Sequence, residues 1–121
     1  MQQSSTRKKY DLEERTYRFA LQVRDFIRKL QKTSANLEDS RQLIRSSGSV
    51  GANYIEANES LGKKDFLMRI RICRKEAKES AYWLRILSES NTSAVRDKAI
   101  TLIKESIELA KIFHAIVEKS K

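Results

Sequence analysis

Not one proline interrupts this chain of 121 residues, and glycine occurs only three times. Proline removes a backbone donor and breaks helices, and glycine supplies the tight turns of β-hairpins. A chain this poor in both has few ways to turn sharply and can run on as helix. Its apolar residues recur at alternating steps of four and three, which collects them on one helical face.

Four such faces follow in order. Asp11 and Glu14 stand at capping-box spacing, and Leu12, Thr16, Phe19, Val23, Phe26 and Leu30 then share a face. After a short connection at 36–38, Asp39 or Ser40 can cap a second helix bearing Leu43, Ser47, Val50, Tyr54, Ala57 and Leu61. Gly62 is a plausible C-terminal cap for it. The third face is Phe66, Ile70, Cys73, Ala77, Ser80, Leu84 and Leu87. A polar turn at 90–93 supplies the next cap, and Val95, Ala99, Leu102, Ser106, Leu109, Phe113 and Ile116 form the fourth face.

The spacing predicts helices over about 11–34, 39–61, 64–89 and 94–119. Short connections between long helices imply an all-α, antiparallel up-down four-helix bundle. The seven-residue period favours a left-handed crossing. Residues 10–121 suit one domain. Residues 1–9, with Arg7, Lys8 and Lys9, lack periodicity and are expected as a flexible basic arm.

The stretch 46–60 carries no Lys or Arg and holds two of the three glycines. Beside the face above it offers a second, Ile44, Gly48, Gly51, Ala52 and Ile55, and a small polar stripe, Ser46, Ser49, Asn53 and Glu56. Glycine costs a helix about 0.5–1 kcal/mol against alanine. Close approach of another helix explains that cost. The competing reading is a flexible turn splitting two short helices; the absent proline and the unbroken pattern argue against it.

Helix three has an extra stripe of Ile72, Glu76, Glu79, Trp83 and Ile86, and helix four has Glu105, Glu108 and Ile112. A monomeric bundle needs one apolar face per helix, so stripes mixing acids, aliphatics and a tryptophan resemble a subunit interface. Arginines from neighbouring helices or subunits can pair with Glu76 and Glu79. The competing reading is a solvated acidic face with a half-covered Trp83.

Candidate chemistry is sparse. The pairs Glu56/Glu59, Glu76/Glu79 and Glu105/Glu108 have carboxylate spacing, but di-iron bundles need E-x-x-H pairs and the one histidine, His114, is not at that spacing. Cys73 lies on the core face as a small buried residue and excludes an internal disulfide. No Gly-rich phosphate loop and no nucleophile elbow occurs. The reading is a protein without catalytic residues, metal or cofactor. The absence of a span of about 20 apolar residues argues for a soluble cytoplasmic protein with no membrane partner.

The charge is more informative. A net +9 and a pI near 9.8 favour polyanionic partners. On helix three Lys64, Arg71, Lys75 and Lys78 lie near one azimuth, flanked by Arg74 and Arg85. Helix one adds Arg15, Arg18, Lys29 and Lys32. Such a strip can follow a phosphate backbone with strong salt dependence and little sequence preference. It lacks the stacking aromatics that would specify single strands. The competing reading is a charge that only maintains solubility.

Ser46-Ser47-Gly48-Ser49-Val50-Gly51-Ala52-Asn53-Tyr54-Ile55-Glu56-Ala57 resembles the helix-two signature of the bacterial 23S rRNA intervening-sequence proteins. Asp65-Phe66, Lys75-Glu76-Ala77, Glu79 and Tyr82-Trp83-Leu84 resemble the helix-three signature of Bacteroidetes-type members. The resemblance runs from about Tyr10 to Ile116. Typical members follow the Asn with Ile-Ala-Glu-Gly; here Tyr54-Ile55-Glu56-Ala57 lacks that glycine.

The resemblance implies a four-helix bundle assembling as a barrel-like homopentamer, with no established catalytic residues. The accessory variability determinant proteins of diversity-generating retroelements look similar; those are basic pentamers that associate with a reverse transcriptase and nucleic acid. Asn53, Glu56, Glu76 and Glu79 match the family motifs as structural or interface positions. The expectation is a non-enzymatic oligomeric scaffold whose basic surface binds RNA or DNA, beside a nucleic-acid-processing enzyme. The alternative is a protein-interaction module with no nucleic-acid role.

Overall fold

The computed structural model describes residues 2–121, with side chains from Asp11 onward. Four helices follow in order: α1 Gln2–Arg28, α2 Ser34–Asn58, α3 Lys63–Glu89 and α4 Ser93–Ser120. Among the described residues there is no strand. Each helix packs on the next and α4 returns to α1, while the diagonal pairs stay apart. With connections only at 29–33, 59–62 and 90–92, that order makes an antiparallel four-helix bundle. The basic arm expected at residues 1–9 lies outside the residues whose side chains are described.

The four-three faces meet in the middle. Leu12, Thr16, Phe19, Val23, Phe26 and Leu30 are all buried, as are Ile70, Cys73, Ala77, Ser80, Leu84 and Leu87. Ala99, Leu102, Ser106, Leu109 and Phe113 complete the core from α4, with Val117 added beyond the expected set. Each large apolar side chain so buried contributes about 1.5–3 kcal/mol. Phe66, Val95 and Ile116 are partly covered.

Helix ends depart from the sequence reading. α2 begins at Ser34, not at Asp39, because Thr33 caps it: the Thr33 hydroxyl accepts from the Asn36 amide at 3.1 Å. Segment 36–38 is therefore the first turn of α2 rather than a connection. α1 stops at Arg28, where the amides of Lys29 and Leu30 turn back to the carbonyls of Phe26 and Ile27. α1 already runs from Gln2, so Asp11 and Glu14 lie inside it and form no capping box.

At its far end α2 closes by Glu59 and Ser60 donating to the Glu56 and Ala57 carbonyls, both at 3.1 Å. Leu61 consequently falls outside the helix and is fully exposed, not buried with Tyr54 and Ala57. Gly62 does not cap α2; it is the extended N-cap of α3, its carbonyl accepting from Phe66 at 3.0 Å.

Small residues set the helix spacing. Gly51 faces Thr16 of α1 so closely that a β-carbon there would lie 2.9 Å from the Thr16 hydroxyl oxygen. Ser46 of α2 and Ser80 of α3 are fully buried and share a hydrogen bond of 2.8 Å. Gly48 is less confined, since a β-carbon would meet only the guanidinium end of Arg24. That arginine bridges α1 to α2 by donating to the Ile44 carbonyl at 3.3 Å. The outer α2 face is open: Ile44, Ala52 and Ile55 are exposed within the chain, beside Tyr17 and Leu21 of α1. At the end of the bundle that holds both hairpin turns, the side-chain amides of Asn36 and Asn91 donate to each other, each at 3.0 Å.

Candidate nucleic-acid interface

α3 buries one face against its neighbours, so the opposite face must meet water. Lys64, Arg71, Lys75 and Lys78 stand on that outer face, all four exposed. Among the described residues none of them is in an ion pair. Two acids of the same helix, Glu76 and Glu79, are drawn instead to α2.

Glu76 is only 6% exposed. Arg45 of α2 donates to both of its carboxylate oxygens at 3.3 Å, and to Glu79 as well. The Trp83 indole N–H donates to Glu79 at 3.0 Å. Burial opposes the Glu79 charge, but the bonds from Trp83 and Arg45 outweigh it and hold the carboxyl below its usual range. The same bonds, that to Glu79 first and Glu76 next, raise Arg45 above its ordinary value. Glu76 and Glu79 thus make their ion pairs with a cation of α2 and not with the lysines and Arg71 of the α3 strip.

The flanking arginines differ. Arg85 pairs with Glu89 one turn on, at 3.2 Å. Arg74 is half-buried, with a guanidinium nitrogen 3.0 Å from His114 Nδ1. It belongs to a shallow groove between α3 and α4, walled by Arg74, Lys78, Lys111 and His114 and floored by Ala81, Ile107 and Ala110. The two alanines make the groove concave, and no carboxylate lines it. A larger cleft of about 1250 Å³ opens between α1 and α4. Two of its cations are answered: Arg15 forks Glu105 at 2.8 and 2.9 Å and Arg18 pairs with Glu14.

The positions expected at an interface or a close packing site divide. Gly51 packs within the chain, and Glu76, Glu79, Trp83 and the half-buried Ile72 belong to the α2–α3 side of α3. Asn53 also bridges these helices, accepting from Arg69 at 3.1 Å while donating to the Ser49 carbonyl at 2.9 Å. Ala52, Ile55 and Glu56 remain exposed, and Gly48 half-covered. Of the carboxylate pairs weighed as metal ligands, Glu76, Glu79 and Glu105 are committed to arginines. Among the described residues no three His, Cys, Asp or Glu side chains cluster. Burial pushes the Cys73 thiol up to about 12, which leaves it unreactive. No helix among these residues is long and apolar enough to cross a membrane.

Sequence reasoning missed three residues. Lys111 and His114 join the groove from α4; the seven-residue step from Lys104 to Lys111 was the available signal. Tyr82 is the third, and it corrects the expectation that the strip lacks aromatics. It is 59% exposed and follows Lys75 and Lys78 by seven and four residues, the spacing of one face.

The sequence model of the family described as 23S rRNA-intervening sequence protein matches residues 8–115. The chain is similar to a crystal structure from Bacteroides thetaiotaomicron, a protein with unknown function from the S23 ribosomal protein family. The TM-score is 0.77 at 29% identity, covering 88% of this chain and 97% of that one. No curated protein matches.

Proposed function

From the premise that the chain belongs to the 23S rRNA-intervening sequence protein family, we propose that it is a cytoplasmic, non-enzymatic helical scaffold that assembles with copies of itself and holds RNA or DNA on a basic surface. One observation carries this reading: Lys64, Arg71, Lys75 and Lys78 line the outer face of α3, in no ion pair among the described residues, while Arg45 occupies Glu76 and Glu79 of the same helix. Phosphate is the ligand such a face fits. Each phosphate neutralised releases condensed counterions, so many modest contacts add to a salt-sensitive affinity. Copies arranged in a ring multiply the effect by raising effective concentration. The exposed apolar residues Tyr17, Leu21, Ile44 and Ile55 of α1 and α2 support self-association. The number five rests on the family resemblance alone.

The test is fluorescence anisotropy with a structured RNA and a DNA duplex across salt concentration. Log affinity falls linearly with log salt. Charge reversal at Arg71, Lys75 and Lys78 flattens that slope on duplex DNA, by up to about 0.9 for each phosphate no longer neutralised. No binding at low salt overturns the reading. The same apolar α1–α2 face supports a second reading, a protein-interaction module without nucleic acid. A nuclease-resistant complex with one protein partner, together with no affinity for either probe, selects it.

A further inference from the structure

Tyr82 has no evident role in folding. Its ring is 59% exposed, on the outer face of α3 where the packed core cannot use it. Yet it is held in place. Its ring centroid lies 5.1 Å from that of Trp83, with the two planes at 78°, the edge-to-face arrangement that aromatic quadrupoles favour. Trp83 is itself fixed by its indole N–H on Glu79, and Glu79 by Arg45 of α2. A chain of polar contacts from the neighbouring helix therefore orients an indole, and the indole supports an exposed phenol ring.

Cations precede and follow the ring, and the nearby acids are paired, Glu79 with Arg45 and Glu89 with Arg85. Lys78 and Lys75 precede it on the same face by about 6 and 10.5 Å along the axis, and Arg85 follows by about 4.5 Å. Among the described residues Arg85 pairs with Glu89 alone, and the two side chains are 75% and 65% exposed. Such exposed pairs are weak and yield to a better anion. An oriented aromatic with cations before and after it along one face matches a nucleotide chain, which alternates a flat base with charged phosphates.

We propose that Tyr82 is a stacking platform for an unpaired base, so that the basic face of α3 binds single-stranded nucleic acid in preference to duplex. The inference rests on the nucleic-acid reading above and adds the form of the ligand. In a duplex each base face is covered by its neighbours and a ring on a convex helix cannot reach one. In a single strand or loop the bases splay out and stack on protein aromatics. Phosphate contacts alone, from Arg71, Lys75 and Lys78, do not make this distinction.

The experiment measures anisotropy of the full chain with labelled oligouridine and with an RNA duplex of equal length, at one low salt concentration and across a salt series. The variants are Tyr82→Ala, Tyr82→Leu and Tyr82→Phe, each checked for an unchanged melting temperature and unchanged mass in solution. Loss of one base stack weakens oligouridine binding by about 5- to 150-fold. Both Ala and Leu show this loss, because bulk without a π-face does not stack. Phe keeps the wild-type affinity, and duplex affinity and its salt slope stay within about twofold for all three. Oligouridine affinity unchanged in Tyr82→Ala, while both probes still bind, overturns the platform and leaves the basic-surface reading standing. Equal weakening of both probes, or a change of assembly mass in Tyr82→Ala, also overturns it, the second by making Tyr82 a subunit contact. Neither probe binding the unmodified chain overturns both readings together.

Discussion

A β-carbon added to Gly51 would lie 2.9 Å from the hydroxyl oxygen of Thr16 and 3.2 Å from its β-carbon. Thr16 has no room to yield. It is buried, and its hydroxyl already donates to the carbonyls of Leu12 and Glu13 at 2.9 and 3.0 Å.

Gly51→Ala is therefore expected to destabilise the bundle by up to about 2 kcal/mol, the overpacking cost of about 1–3 kcal/mol less a helix-propensity gain of about 1 kcal/mol. Gly48→Ala meets only the mobile end of Arg24, at 3.2 Å, and should be neutral or stabilising by up to about 1 kcal/mol. Urea unfolding of the two variants checks the order. A Gly48 variant less stable than the Gly51 variant would reject the assignment of the close approach to Gly51.

Ser46 and Ser80 provide a coupled pair. Each hydroxyl also reaches a carbonyl of its own helix, Leu43 at 3.3 Å and Glu76 at 2.9 Å. Removing one hydroxyl costs about 0.5–1.5 kcal/mol, whereas removing both leaves no unmatched partner. The double variant Ser46→Ala/Ser80→Ala should thus cost less than the sum of the singles, by about 0.5 kcal/mol or more. Additive losses would mean that the 2.8 Å hydrogen bond carries no energy.

Arg45 holds two acids of unequal burial. Arg45→Met leaves Glu76, 6% exposed, with a charge that nothing neutralises, and should cost about 1–3 kcal/mol. Glu79 makes the pH dependence. Its folded value lies below the ordinary 4.5, so its contribution is complete above 4.5 and is lost as pH falls through the lower folded value. The stability gap between the natural chain and Glu79→Gln is about 0.5–1 kcal/mol at neutral pH, since Arg45 is half exposed. Denaturant titrations at descending pH should see that gap close below 4.5. A gap that widens toward acid would contradict the ion pair.

Cys73 is fully buried and its thiol is raised to about 12 by burial. Alkylation by iodoacetamide at about pH 8, near the ordinary thiol value, should await unfolding of the core. The labelling rate in urea should then follow the loss of helical circular dichroism. Rapid labelling in buffer would show local opening around α3.

The apolar faces were legible because a period of four and three leaves little freedom: from Leu12 to Leu30 each residue assigned inward is buried. The ends of α2 were not. Asp39 and Ser40 are good caps by residue type, but Thr33 captured the Asn36 amide first, and propensity cannot rank two competent caps. The α3 strip was readable as Lys64, Arg71, Lys75 and Lys78. What made it a candidate site, the withdrawal of Glu76 and Glu79 to Arg45, depends on which helix lies alongside. Tyr82 was legible only as part of the Tyr82-Trp83-Leu84 signature, and nothing in that signature tells that its side chain stays exposed beside Trp83.

The reciprocal amides of Asn36 and Asn91 settle something that the apolar faces leave open. A face that repeats every seven residues looks nearly the same after one hairpin slides past the other by seven residues, about 10.5 Å. Leucine and serine would tolerate much of that displacement. The two asparagines would not, because they join positions 55 apart in sequence at a single axial height. Asn36 is buried and also donates to the Gln31 carbonyl at 2.8 Å. A slipped bundle would strand its amide without a partner, as a lone polar residue does in a mis-registered coiled coil. The pair acts as a detent, fixing where along its length α3 delivers its cations relative to the arginine of α2 that draws off its acids.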